Sequence, residues 1–184
     1  NKNIKIGIVG LGYVGLPLAV EFGRIFNVTG YDTNLNRIKN LKAGIDDNKD
    51  LLKKKIINAK KLIFTSKINN LKNCNTYIIT VPTPIKKSNI PDLKFIKIAC
   101  GNIAKILKKN DIVILESTVY PGVSEEFCVP LLEKISKLKF NKDFFFGYSP
   151  ERINPNDKIH NISNIVKITS GSNKQTSFFV DNLY

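Results

Sequence analysis

The chain has 184 residues, 42% of them hydrophobic and 24% charged, with a formal net charge of +14 at pH 7. That length holds one sizeable domain with its own core, and the composition is that of an ordinary globular protein. No apolar run approaches the about 20 residues of a membrane span. The opening Asn1-Lys2-Asn3-Ile4-Lys5 lacks the apolar core of a signal peptide, so the expectation is a cytoplasmic chain that meets no membrane.

The positive charge invites a nucleic-acid reading. However, 26 of the 29 basic residues are lysine, and only Arg24, Arg37 and Arg152 are arginine. The lysines fall in separate clusters such as Lys53-Lys54-Lys55, Lys86-Lys87 and Lys108-Lys109. Readers of bases favour arginine and stacking aromatics, so a solvated lysine surface is expected and nucleic acid is not. Cys74, Cys100 and Cys128 are too few and too far apart for a disulfide framework or a zinc site. They read as small buried hydrophobes in a reducing compartment. His160 is the only histidine, and no metal site is expected.

In chain order, short strand-like runs appear at Ile4–Val9, Val28–Tyr31, Leu62–Phe64, Tyr77–Val81, Ile112–Leu115, Phe144–Tyr148 and Ile165–Ile168. Stretches with helical spacing separate most of them: Leu16, Ala19 and Val20 in one, Ile98, Ile103, Ile106 and Leu107 in another. Consecutive apolar positions in Tyr77–Val81 and Ile112–Leu115 suit strands buried on both faces. The expected fold is a single α/β domain over 1–184, a doubly wound, Rossmann-like and mostly parallel sheet with helices on both faces. A last helix begins within Ser172–Tyr184, and its apolar face of Phe178, Phe179, Val180 and Leu183 is expected either to dock on its own sheet or to meet a missing continuation of the chain.

The first strand runs into Gly10-Leu11-Gly12-Tyr13-Val14-Gly15 and then a helix, the G-x-G-x-x-G loop in the context that gives it meaning. Gly10 allows the tight turn, Gly12 lets a pyrophosphate approach the backbone, and Gly15 permits helix to pack on strand. The helix N-terminus offers free N–H groups to the anion. The second strand ends in Asp32, 22 residues after Gly10. A carboxylate there accepts the adenosine ribose hydroxyls and repels a 2′-phosphate, favouring NAD over NADP. A glycine turn followed by a capping Asp, or a methyltransferase loop, are the competing readings.

Four motifs at strand ends, in order, carry a resemblance: Gly10–Gly15 with Tyr13 and Val14 inside, Val81-Pro82-Thr83-Pro84, Glu116-Ser117-Thr118-Val119-Tyr120-Pro121-Gly122, and Ser149-Pro150-Glu151-Arg152-Ile153-Asn154-Pro155. The chain resembles the UDP-glucose/GDP-mannose dehydrogenase family over essentially its whole length. Its last motif, with Asp157-Lys158-Ile159-His160, looks most like the branch acting on UDP-N-acetylhexosamines for capsule and O-antigen polysaccharides. The resemblance implies a four-electron, NAD-dependent oxidation of the sugar C6 alcohol to a carboxylate. It implies that Gly10, Gly12, Tyr13, Val14, Gly15 and Asp32 bind NAD, with Arg37 against the adenosine and Thr83 near the nicotinamide ribose. Thr118 would contact NAD and order water, and Glu151 would act with that water as acid/base support. For Arg152, substrate and an internal salt bridge are both open as partners. The alternatives are an exposed helix arginine for Arg37 and an incidental threonine in a Pro-rich turn for Thr83. Glu116 reads either as the catalytic carboxylate or as a structural partner at a strand end. Pro155 stands where UDP-glucose members have a second glutamate, and Asn156 replaces a glycine common in the motif.

The family mechanism also needs a nucleophilic cysteine, which the resemblance places beyond this length, and none of the three cysteines here matches it. Dimerisation and UDP-sugar-binding parts are therefore expected downstream, with a homodimer formed through them. The competing reading is a stand-alone nucleotide-binding module without chemistry.

Overall fold

The computed structural model describes residues 4–48, 51–86, 90–151 and 166–184. Strand and helix alternate: β1 (Lys5–Val9), α1 (Gly15–Phe22), β2 (Asn27–Tyr31), α2 (Leu35–Lys42), α3 (Lys53–Asn58) and β3 (Leu62–Thr65) form the first half. The second half holds β4 (Thr76–Ile79), α4 (Lys94–Ala104) and β5 (Asp111–Leu115), then a π-helical turn at Val123–Cys128 continuing into α5 (Val129–Ser136). It ends with β6 (Phe144–Tyr148), β7 (Ser170–Gly171) and α6 (Lys174–Leu183).

The strands form one sheet in the order β3-β2-β1-β4-β5-β6-β7. All pairs are parallel except β6 with β7. The chain reverses its direction of travel across the sheet between β1 and β4, and ligands of such sheets bind at that switch point, beyond the carboxyl ends of the strands. Register makes this concrete. Val9 lies opposite Tyr31 and Ile79, Ile79 opposite Leu115, and Leu115 opposite Tyr148. The next residue of each strand, Gly10, Asp32, Thr80, Glu116 and Ser149, therefore falls in a single row along the top edge.

Alternation along the central strands divides the core in two. Tyr77, Ile79, Val113 and Leu115 face α4 and α5, packing with Ile96, Cys100, Ile103 and Leu132. Ile78 and Ile114 face the other way, with Ile6, Ile8, Leu16, Leu18 and Val180 around them. Cys74, Cys100 and Cys128 are free and buried in the first cluster, as small hydrophobes are.

One expectation changes, and one pair of alternatives is decided. Of the run Ile165–Ile168, the described residues 166–168 form no strand, and Val166 and Ile168 face solvent. The edge strand is the short β7, and it is antiparallel, so this hydrophobic run was a poor guide to sheet pairing. The apolar face of α6 docks on its own sheet: Val180 and Leu183 are buried in the second core cluster, while Phe178 points outward. The Asn173 side chain caps this helix by accepting from the Thr176 N–H at 2.8 Å.

Docking of α6 depends on Gly147 in β6, where an added Cβ would lie 2.8 Å from Val180 Cγ2 and 3.2 Å from the Ser170 carbonyl oxygen. Gly147→Ala should overpack this seam and cost roughly 1–3 kcal/mol, read as a lowered urea midpoint. An unchanged midpoint would show that α6 is not held there.

Candidate functional site

The row of strand ends opens into a cleft of about 450 Å³ that spans the switch point. Its first wall is the glycine turn. Gly10 has φ +100°, a conformation that costs a side-chain-bearing residue dearly, and its N–H donates to the Tyr31 carbonyl at 2.9 Å. At Gly15 a Cβ would overlap the Gly10 carbonyl and Thr80 Oγ1, so α1 can start this close to β1 only with glycine there. Thr80 Oγ1 locks the turn by donating to the Gly10 carbonyl at 2.8 Å. Gly12 is different: a Cβ there would meet nothing within 4 Å. The space beside it is open at the start of α1, where the first helical N–H groups can meet an anion.

Asp32, at the end of β2, is oriented by two backbone donors. Its Oδ2 accepts from the Leu11 N–H and its Oδ1 from the Asn34 N–H, each at 2.9 Å. The other backbone group of Leu11 is engaged too, since its carbonyl accepts from Arg37 Nε at 3.0 Å. Arg37 is buried, and its Nη1 bonds Asp46 Oδ1 at 2.6 Å. Asp46 in turn accepts from the N–H groups of Asn48 and Leu51. The structure thus replaces an exposed helix arginine with a buried brace. It joins the glycine loop to the 46–51 segment and does not line the cleft.

At the far wall the loops after β4 and β5 are stitched together. Ser117 Oγ donates to the Val81 carbonyl at 2.7 Å, and Thr83 Oγ1 to the Thr118 carbonyl at 2.7 Å. The Thr83 hydroxyl is thus committed to fixing the Thr118 backbone, and the Thr118 side chain stays exposed at the cleft. Glu151, just past β6, and Glu116, just past β5, complete this wall. The Glu116 carboxylate is fully buried and bonded to Lys167 Nζ and the Tyr184 hydroxyl. Burial pushes its pKa up, while the Lys167 charge and then the two hydrogen bonds pull it down. The Tyr184 hydroxyl is held well above its ordinary range, first by burial and then by the charges of Glu116 and Glu151.

The structure therefore gathers Gly10, Gly12, Tyr13, Val14, Asp32, Thr83, Thr118 and Glu151 around one cleft, with Gly15 packed at the base of the glycine turn. Arg152 lies outside the described residues. Sequence reasoning missed Thr80, Ser117 and Asp46 as supports, and Lys167 and Tyr184 as the partners of Glu116. Thr80 and Ser117 adjoin motifs already singled out, whereas nothing local marks the other three.

The two glycines should separate in experiment. Gly15→Ala collides with backbone and should destabilise the chain by about 3 kcal/mol or more. Gly12→Ala should leave stability within about 0.5 kcal/mol but weaken dinucleotide binding by about tenfold or more, near 1.4 kcal/mol. Denaturation midpoints and calorimetric titration of both variants check this; unimpaired binding by Gly12→Ala would contradict it.

A family model described as UDP-glucose/GDP-mannose dehydrogenase family, NAD binding domain, matches residues 4–184. The UDP-N-acetyl-D-glucosamine 6-dehydrogenase of Pseudomonas aeruginosa is 54% identical over 183 residues, covering 100% of this chain and 43% of that protein. Protein CapL of Staphylococcus aureus is 47% identical over 182 residues, covering 99% and 43%. Among solved structures, the UDP-D-ManNAc dehydrogenase of Pyrococcus horikoshii superposes with a TM-score of 0.86 at 32% identity, covering 98% of this chain and 44% of that one. A ternary complex of GDP-mannose dehydrogenase from Pseudomonas aeruginosa gives 0.90 at 25% identity, with the same shares. The chain thus spans less than half the length of the relatives it matches. With its glycine turn, its Asp32 and its switch-point cleft, the chain belongs to the UDP-glucose/GDP-mannose dehydrogenase family as an NAD-binding domain.

Proposed function

We propose that this chain is the cofactor-holding part of an enzyme that oxidises the C6 alcohol of a UDP-N-acetylhexosamine to the uronic acid, for a surface polysaccharide. The observation that carries the reading is the Asp32 carboxylate, held at the cleft by two backbone donors across from a wall bearing Thr118 and Glu151. The printed activity of the 54% identical relative supports the substrate class. Overall, one alcohol and one water yield one carboxylate, with two hydrides passing to two NAD molecules and three protons released.

The residues present fit NAD. Gly12 and the N-terminus of α1 would take the pyrophosphate, and Asp32 the ribose hydroxyls of the adenosine. Bound there, NAD supplies the hydride acceptor. On the protein side, Glu151 would receive or return protons through water. The Thr118 hydroxyl would orient that water, its backbone fixed by Thr83. Arg37 and Asp46 would act one step back, by holding Leu11 and Asn48.

The parts that grip the uridine diphosphate, supply the thiolate and form a homodimer belong, on this proposal, to a downstream portion of the protein. All three cysteines here are buried in the core, which suits packing rather than attack on an aldehyde. Three free thiols also suit a cytoplasmic setting. Among the described residues, no helix is long and apolar enough to cross a membrane.

Titration of the chain with both cofactors tests the first half of the reading. NAD should bind at least about tenfold tighter than NADP, and Asp32→Ala should erase most of that preference; equal affinities in the wild type would contradict it. Assay of the longer protein against a panel of UDP-sugars tests the second half. It should form two NADH per UDP-N-acetylhexosamine, while the 184-residue chain binds NAD without turnover. Binding without turnover in both would favour a non-catalytic nucleotide-binding module.

A further inference from the structure

The cluster around Glu116 lies against the cleft, at the end away from Gly12 and Asp32. Lys167 is buried, with 8% of its side chain exposed and none of that of Glu116. Its Nζ meets Glu116 Oε1 at 2.5 Å and the Pro150 carbonyl at 3.3 Å, and sits 5.1 Å from the centre of the Tyr184 ring. Tyr184 donates to the remaining carboxylate oxygen. Four elements thereby converge: the ends of β5 and β6, the stretch before β7, and the end of α6.

A buried ion pair is a poor device for stability alone, because well-packed apolar residues of similar volume usually do as well or better. What apolar residues cannot do is bind a carbonyl. The carbonyl bound here is that of Pro150, the residue immediately before Glu151, which faces the cleft. Glu116 holds the Lys167 ammonium in place through the ion pair, which gives the wall an anchor.

We propose that Lys167 is the positioning residue for the reacting end of the cleft: held by Glu116, its ammonium fixes the Pro150 carbonyl and so sets the Glu151 carboxylate for proton transfer. The assignment rests on the dehydrogenase reading above and deepens it. Loss of the anchor should affect turnover and leave the dinucleotide subsites intact, since Gly12 and Asp32 stand on the opposite wall.

The test uses the full-length enzyme as wild type, Lys167→Met, Lys167→Arg and the double variant Lys167→Met/Glu116→Gln, each assayed for kcat, KM for NAD and melting temperature. Lys167→Met should lower kcat on the order of a hundredfold, as a small misplacement of a reacting group does, while KM for NAD stays within about threefold. It should also lower the melting temperature, having stranded a buried carboxylate. The double variant removes both charges and should regain the melting temperature without regaining kcat. Lys167→Arg, still a cationic donor, should recover much of kcat. A merely structural role predicts that kcat and melting temperature recover together in the double variant; that result, or a wild-type kcat in Lys167→Met, overturns the assignment. So would failure of both Met variants to fold. A wild type inactive on every UDP-hexosamine would overturn the dehydrogenase reading and this assignment with it, whereas an active wild type leaves only the assignment at stake.

Discussion

Contact between the start of α1 and the turn after β1 is the constraint from which the rest of the site follows. A helix can begin against its own preceding strand only if Gly15 has no Cβ, since that atom would overlap the Gly10 carbonyl and Thr80 Oγ1. Closeness aims the free N–H groups of the first helical turn at the space above the strand ends, where an anion gains most from them. It also brings Thr80, just past β4, into the turn, where one hydroxyl joins the two strands flanking the switch point. Glycine is needed here for want of room, whereas a Cβ at Gly12 would meet nothing within 4 Å.

From that fixed turn, support spreads to both ends of the cleft by hydrogen bonds between loops. On the Asp32 side, Leu11 is held at both backbone groups, by Asp32 and by Arg37, and Arg37 reaches on through Asp46 to Asn48. On the other side, Ser117 and Thr83 tie the β4 and β5 loops, and Lys167 ties β5 to β6. Loops that would move independently become one rigid rim. Such preorganisation lets a site place reacting atoms without ordering them anew at each turnover.

Much of the fold is legible in the sequence because parallel strands buried on both faces leave unbroken apolar runs, as in Tyr77–Ile79 and Ile112–Leu115. The glycine loop is legible for a related reason: steric exclusion acts between near neighbours in the chain, so it leaves a local motif. Partners that meet only through topology leave no such trace. Glu116 finds Lys167 and Tyr184 51 and 68 residues away, and no spacing rule connects them. Arg37 illustrates a second limit, since its burial depends on Asp46, nine residues on in an irregular segment. Val166 and Ile168 show a third: these apolar, β-branched residues beside a sheet edge stay in water, and the strand forms at Ser170–Gly171 where the backbone meets β6.

The claim that unites these observations is that one row of strand ends forms one cofactor cleft, with an adenosine end at Asp32 and a reacting end at Thr118 and Glu151. A crystal structure of the chain with NAD bound measures this directly. The account places the adenosine ribose hydroxyls on the Asp32 carboxylate, the pyrophosphate beside Gly12 at the start of α1, and the nicotinamide near Thr118 and Glu151. A dinucleotide lying with its pyrophosphate away from the glycine turn, or with its nicotinamide at the Asp32 end, would contradict it.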